Sequence, residues 1–175
     1  MLETTSEISP VFTAEQIAAR IDEVARDIRK DAGTSEVFLL GILKGASLLL
    51  ADLLRVIPGD VSYGFIEVVR DVIDNQTADA IEIDFLRFTD IRARKVYVLK
   101  DVVATGVIEN YLLSQLRTHE PDSIKLVALL DRPDARTSDL TCDYPLFTIK
   151  DGVYAGYGLE QGRRYGNLPF IFRTA

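Results

Sequence analysis

The stretch Lys100-Asp101-Val102-Val103-Ala104-Thr105-Gly106 brings an ammonium, a carboxylate, a hydroxyl and a glycine together. It follows the apolar run Val96-Tyr97-Val98-Leu99, which reads as a buried strand, and precedes a helical pattern from about Val107 to Arg117. At such a junction Gly106 allows close backbone approach to an anion and Thr105 supplies a hydroxyl. The unpaired amides of the helix start, through Val107 and Ile108, point at negative charge. This is the design of a phosphate site. A Thr-Gly turn of this kind also serves tight packing, and spacing alone does not choose between the two.

Two other reactive side chains carry less. Cys142 is the only cysteine, which excludes an intramolecular disulfide and a zinc site built on cysteine spacing; it reads as a half-buried strand residue rather than a nucleophile. His119, the only histidine, lies in Arg117-Thr118-His119-Glu120-Pro121 and reads as the end of a helix rather than a catalytic group. Ser-His and Cys-His dyads therefore have no support.

The elements that must position these residues follow from periodicity. After a loose arm over residues 1–10, Thr13 and Gln16 form a capping box, and Ile17, Ile21, Val24 and Ile28 recur at helical spacing until Gly33. Val37 to Ile42 reads as a strand covered on both faces, Lys44-Gly45-Ala46 as a turn, and Ser47 to Arg55 as a second helix. Val61 to Val69 is a strand, Asp71 to Asp79 a loop, and Ala80 to Phe85 a return strand. A further strand, Ile124 to Leu130, ends at Asp131-Arg132-Pro133. From Phe147 onward, the glycines predict a strand and a loop returning over the sheet edge.

Strands alternating with helices through short turns predict an α/β fold: a mainly parallel twisted sheet with helices on both faces, plus a small hood or lid element. The 175 residues fit a single domain. Ligands gather at the carboxyl ends of such strands, where the turns at Lys44-Gly45, Ala104-Thr105-Gly106 and Asp131-Arg132 all fall. A formal net charge of −7 argues against nucleic-acid partners. No apolar run approaches membrane-spanning length and the opening MLETTSEISP is not signal-like, so no membrane partner is expected and the expected location is cytoplasmic.

In its order of landmarks the chain resembles the hypoxanthine (6-oxopurine) phosphoribosyltransferases. Asp101 to Gly106 resembles their phosphate loop, Gly41-Ile42-Leu43-Lys44-Gly45-Ala46 their pyrophosphate loop and Leu129-Leu130-Asp131-Arg132-Pro133 their base-recognition turn. Gly156-Tyr157-Gly158-Leu159, with Tyr165 and Asn167-Leu168-Pro169, resembles their closing segment. The resemblance implies attack of a purine nitrogen on the anomeric carbon of phosphoribosyl diphosphate, with Mg2+ on the leaving pyrophosphate. It also implies a homodimer or tetramer formed through the face near the Lys44 loop.

Transferred residue by residue, it assigns Thr105, Gly106, Val107 and Ile108 to the phosphate, and Lys44, Gly45, Lys100 and Asp101 to the ribose and pyrophosphate. Arg132, Val153 and Tyr154 go to the base, and Glu160 to the metal. Departures fall on working positions. Lys100 replaces one carboxylate of the ribose-gripping acid pair, and Ala104 replaces the aspartate that accepts the purine proton, leaving no intact catalytic residue and Asp101 as the best substitute base. Ile108 replaces a hydroxyl residue, Gly166 an arginine and Val153 a stacking aromatic; Arg132 stands for a lysine and Glu160 for an aspartate. The serine-tyrosine signature of the mobile lid is missing, with Val68-Val69-Arg70-Asp71 at about that place. Two readings remain open: a purine phosphoribosyltransferase of low turnover or altered specificity, and a non-catalytic protein that binds or senses a nucleotide or other phosphorylated metabolite on the same fold.

Overall fold

The computed structural model describes residues 8–70, 81–84 and 90–174. Thr13 starts helix α1 (Ala14–Ala32) as anticipated: its hydroxyl accepts from the Gln16 amide at 3.3 Å, and its own amide donates to Gln16 Oε1 at 2.8 Å. Ile17, Ile21, Val24 and Ile28 line the buried face of this helix. Strand β1 (Val37–Leu43) is buried along nearly its whole length because it lies between β2 (Val61–Arg70) and β4 (Lys95–Val103), parallel to both. Helix α2 (Ser47–Val56) joins β1 to β2, and β3 (Ile81–Asp84) pairs antiparallel with β2.

From β4 the chain passes through α3 (Val107–Arg117) to β5 (Ser123–Asp131) and then to β6 (Tyr144–Thr148), each strand parallel to the one before. The sheet order is β3-β2-β1-β4-β5-β6. Side chains alternate across it as the two-residue period of a strand requires. Leu39, Tyr97, Leu99, Val127 and Leu129 face α1 and α2, whereas Phe38, Leu40, Val96, Val98, Leu126 and Ala128 face α3. A parallel sheet covered in this way has no wet face, which is why its strands are continuous apolar runs.

The ends of the chain depart from expectation in detail. The edge strand β6 begins at Tyr144, ahead of Phe147, and Cys142 precedes it in a loop rather than lying in a strand. The Cys142 thiol approaches the Leu126 carbonyl at 3.6 Å, and burial pushes it up to about 12, so it is a protonated packing group at neutral pH. Of the predicted arm over residues 1–10, residues 1–7 lie outside the described residues, and directly after it the chain is tied down. Phe12 exchanges backbone hydrogen bonds with Ile171 and stacks on Phe147 at 4.0 Å between centroids. A two-stranded ribbon of β7 (Tyr154–Ala155) and β8 (Phe172–Arg173) completes the return. The predicted loop 71–79 and the ends of the predicted return strand, Ala80 and Phe85, lie outside the described residues.

At the amino ends of β1, β2 and β4, Arg94 makes a two-pronged contact with Glu36, at 3.1 Å to Oε2 and 2.7 Å to Oε1, and Ser62 donates to the same carboxylate. The Arg94 guanidinium also lies 4.4 Å from the Phe38 ring centroid. The hydrogen bond from Arg94, then that from Ser62, holds the Glu36 carboxyl below its ordinary value. A depressed carboxylate stabilises the fold above its unfolded pKa and ceases to do so as pH falls through its folded pKa. Glu36→Gln is therefore expected to lower stability in urea melts by about 1 kcal/mol at neutral pH. That difference from the unaltered chain should fade as pH drops through the folded-state pKa of Glu36, below its unfolded value; a difference that persists undiminished in acid would contradict the assignment.

Candidate active site

Residues from β4 and β5 meet because the two strands stay paired to their ends, with Val103 opposite Asp131. The Arg132 amide then donates to the Val103 carbonyl at 2.9 Å, setting the turn after β5 directly beside the turn after β4. Gly106 adopts the left-handed conformation, φ 76° and ψ 2°, which favours glycine. Gly106 has no side chain with which to cap α3, and the Val107 amide donates to Thr105 Oγ1 at 3.5 Å.

The opposite side of this turn is held by a segment not recognised in the sequence. Arg136 donates to the Ala104 carbonyl at 2.8 Å and pairs with Asp131. The Thr137 amide and the Ser138 hydroxyl donate to the Thr105 carbonyl at 3.0 and 3.1 Å. A Cβ on Gly106 would come within 2.7 Å of Ser138 Oγ and 2.8 Å of Arg136 Cδ, so glycine is required for packing as well as for φ. Asp131 and Arg136 side chains are only 10% and 11% exposed. The signal available in the sequence was the polar residue at the end of a buried strand: a carboxylate at Asp131 demands a nearby cation.

Asp101 is held by its own neighbours and by the Lys44-Gly45 turn. Its Oδ1 accepts from the Val102 amide at 2.8 Å and is paired with the Lys100 ammonium, so the reversed charge at 100 is spent in part on its own neighbour. Gly45 packs so closely that a Cβ there would overlap the Asp101 carboxylate. Gly158 of the closing segment lies against the same turn, its Cβ position 3.0 Å from the Gly45 carbonyl oxygen. Tyr157 anchors that segment by donating to Asp52 on α2 at 2.5 Å; burial and then this carboxylate raise its hydroxyl pKa.

Arg132 pairs with Asp151 at 2.9 Å, drawing the turn after β5 toward Val153, which is 58% exposed, and toward half-buried Tyr154. Glu160 is exposed beside Gly166. Of the carboxylates within reach in sequence of Ala104, Asp101 and Asp131 are engaged as described, and Glu109 is buried on the face of α3 that carries Leu112, Leu113 and Leu116. A cavity of about 520 Å³ lies elsewhere, between Ile8, Ser9, Gln161, Tyr165, Phe172, Arg173 and Thr174, and contains none of the anticipated residues.

Residues 8–161 match the phosphoribosyl transferase domain family. A hypoxanthine-guanine phosphoribosyltransferase of Mycobacterium avium is 34% identical over 169 residues, covering 93% of this chain and 83% of its own length. The crystal structure of a hypoxanthine-guanine phosphoribosyltransferase from Bacillus anthracis, with a HEPES molecule in its active site, has a TM-score of 0.86. It is 32% identical and covers 97% of this chain and 100% of that one. An alanine mutant from an analysis of an invariant aspartic acid in HPRTs is also similar, at TM-score 0.84 and 30% identity, over 95% of this chain and 94% of that one.

The Asp131–Arg136 pair gives a direct test of how the turn is held. Arg136→Ala strands a buried carboxylate and is expected to cost about 3–5 kcal/mol, whereas Arg132→Ala, whose partner Asp151 is solvated, should cost about 1 kcal/mol or less. Denaturant melts of both variants check this, and equal losses would contradict it.

Proposed function

The chain belongs to the phosphoribosyl transferase family, and on that premise we propose that it transfers the phosphoribosyl group of phosphoribosyl diphosphate to a 6-oxopurine such as hypoxanthine or guanine, with low turnover. In this reaction a purine nitrogen forms a bond to the anomeric carbon, the bond from that carbon to pyrophosphate breaks, and the nitrogen's proton must leave.

The observation that carries the reading is the uncapped start of α3 behind a left-handed Gly106, with the carbonyls of Ala104 and Thr105 tied from the rear. Those contacts hold the turn in place, and a bound phosphate would compete only with the 3.5 Å contact of the Val107 amide to Thr105 Oγ1. In this reading residues 105–108 hold the 5′-phosphate. Lys44 and Gly45, with Lys100 and Asp101, receive the ribose and pyrophosphate. Arg132 donates to the purine oxygen, and Val153 and Tyr154 flank the ring. The likeness to hypoxanthine-guanine phosphoribosyltransferases over 93% and 97% of this chain supports the substrate class.

Ala104 cannot take up a proton, and loss of a general base typically costs about 10²–10⁴ in rate. Positioning and phosphate binding still act, so turnover is slow rather than absent. The protein works in the cytoplasm on small molecules, and it assembles as a homodimer or tetramer near the Lys44 loop, where Leu48 on α2 is 40% exposed.

Transfer to hypoxanthine or guanine is expected to run well below the roughly 10 s⁻¹ of a typical enzyme. Ala104→Asp should raise it by about tenfold or more, and Ala104→Asn, which has no proton acceptor of comparable basicity, should not. Steady-state release of pyrophosphate measures both. Efficient transfer by the unaltered chain would show that another residue serves as base, and calorimetry showing no binding of phosphoribosyl diphosphate or a purine 5′-monophosphate would overturn the reading.

A further inference from the structure

The segment packed on the Lys44-Gly45 turn has an unusual backbone. Gly156, Tyr157 and Gly158 all have positive φ, at 103°, 49° and 87°. Glycine adopts such angles freely, whereas a tyrosine there is strained and persists only where its surroundings over-determine it. What holds Tyr157 is its side chain. The residue is 7% exposed, it belongs to the apolar core that includes Leu49, Leu53 and Leu159, and its hydroxyl donates to Asp52 Oδ2 at 2.5 Å. Burying a hydroxyl is costly unless it is hydrogen-bonded, and phenylalanine would fill the same space without that demand. The hydroxyl is therefore the part of Tyr157 that packing does not explain.

Asp52 lies on α2, the helix that begins directly after the turn, and its other oxygen is paired with Arg55. At the start of that helix Ser47 donates to the Lys44 carbonyl, from its amide at 3.0 Å and from its hydroxyl at 2.6 Å. The Tyr157–Asp52 bond thus ties the closing segment to the same helix that carries the turn. Within the segment, the Tyr157 amide donates to the Leu168 carbonyl and the Gly158 amide to the Gly166 carbonyl, both at 2.9 Å. Gly158 then meets Gly45 so closely that a Cβ on Gly158 would lie 3.0 Å from the Gly45 carbonyl oxygen. At that separation a displacement of the segment is passed on to Gly45, because close-packed groups transmit strain. The same segment carries exposed Glu160, a carboxylate of the kind that holds magnesium together with phosphate oxygens. Resting on the function proposed above, we infer that Tyr157 and Asp52 form a positioning pair for the diphosphate end of the donor substrate. The pair fixes the backbone of the Lys44-Gly45 turn and the place of Glu160 without itself touching substrate. The turn at residues 105–108 is held separately, by Arg136 and Ser138, so the pair acts on a ligand that carries a diphosphate and not on one that carries only a 5′-phosphate.

Calorimetric titration of the full chain, with magnesium present, against phosphoribosyl diphosphate and against inosine 5′-monophosphate tests this. Tyr157→Phe should weaken binding of the diphosphate about tenfold and leave that of the monophosphate within about twofold. Asp52→Ala should do the same, whereas Asp52→Asn, which keeps an oxygen acceptor for the tyrosine, should stay within about threefold of the unaltered chain for both ligands. The double variant Tyr157→Phe with Asp52→Ala should bind no more weakly than either single variant, since the two residues act through one bond. A contact that is structural only would lower the melting temperature and move both affinities alike. Equal weakening of the two ligands, an unchanged diphosphate affinity in Tyr157→Phe, or single losses that sum in the double variant would overturn the inference while leaving the proposed function intact. An unaltered chain that binds neither ligand would overturn the functional reading itself, and this inference with it.

Discussion

The buried pair between Asp131 and Arg136 is the interaction on which the site's geometry depends. A charge taken out of water must be matched by a partner of good geometry, and removing either member leaves the other exposed to the full desolvation cost. Here the guanidinium also donates to the Ala104 carbonyl, so satisfying Asp131 fixes the backbone of the neighbouring turn. Thr137 and Ser138 extend the same arrangement to the Thr105 carbonyl. The chain thereby fastens the carbonyls of the β4–α3 turn from the side of the Arg136 to Ser138 segment.

Most of the scaffold was legible because its causes are local. Thr13 and Gln16 announce α1 through a reciprocal cap, and uniformly apolar stretches such as Val37 to Ile42 have no plausible place except between two covered faces. The edge was harder. Tyr144 and Pro145 carry no distinctive period, and β6 exists because β5 offers an open row of backbone groups to pair with. Cys142 was misplaced for the same reason: its position depends on where that pairing begins, which is a property of the neighbouring strand rather than of its own stretch.

At the site, legibility followed the same line between local and tertiary causes. Thr105-Gly106 signals its turn from the junction of strand and helix, and Gly106 has the conformation that glycine permits. Arg136 could not be found this way, since its role comes from a carboxylate five positions back and a carbonyl in the turn after β4. The Lys100–Asp101 pair joins neighbours in sequence, but the stretch itself does not show that the ammonium turns back on the adjacent carboxylate. The Lys44-Gly45 turn packs directly on Asp101 of this pair, and the Gly158 turn packs in turn on Gly45.

Ala104 and Lys100 also act in the same electrostatic direction. Where the resemblance places an acid pair and a further aspartate, this chain has one carboxylate, one ammonium and a methyl group, so the local formal charge goes from −3 to 0. Fewer fixed negative charges favour a polyanionic ligand throughout its time in the site, before reaction as much as during it. Interactions equally strong in the ground state and the transition state improve binding without speeding the chemical step. In the proposed reaction this balance of charge would favour binding of the phosphorylated substrate without by itself speeding its transfer.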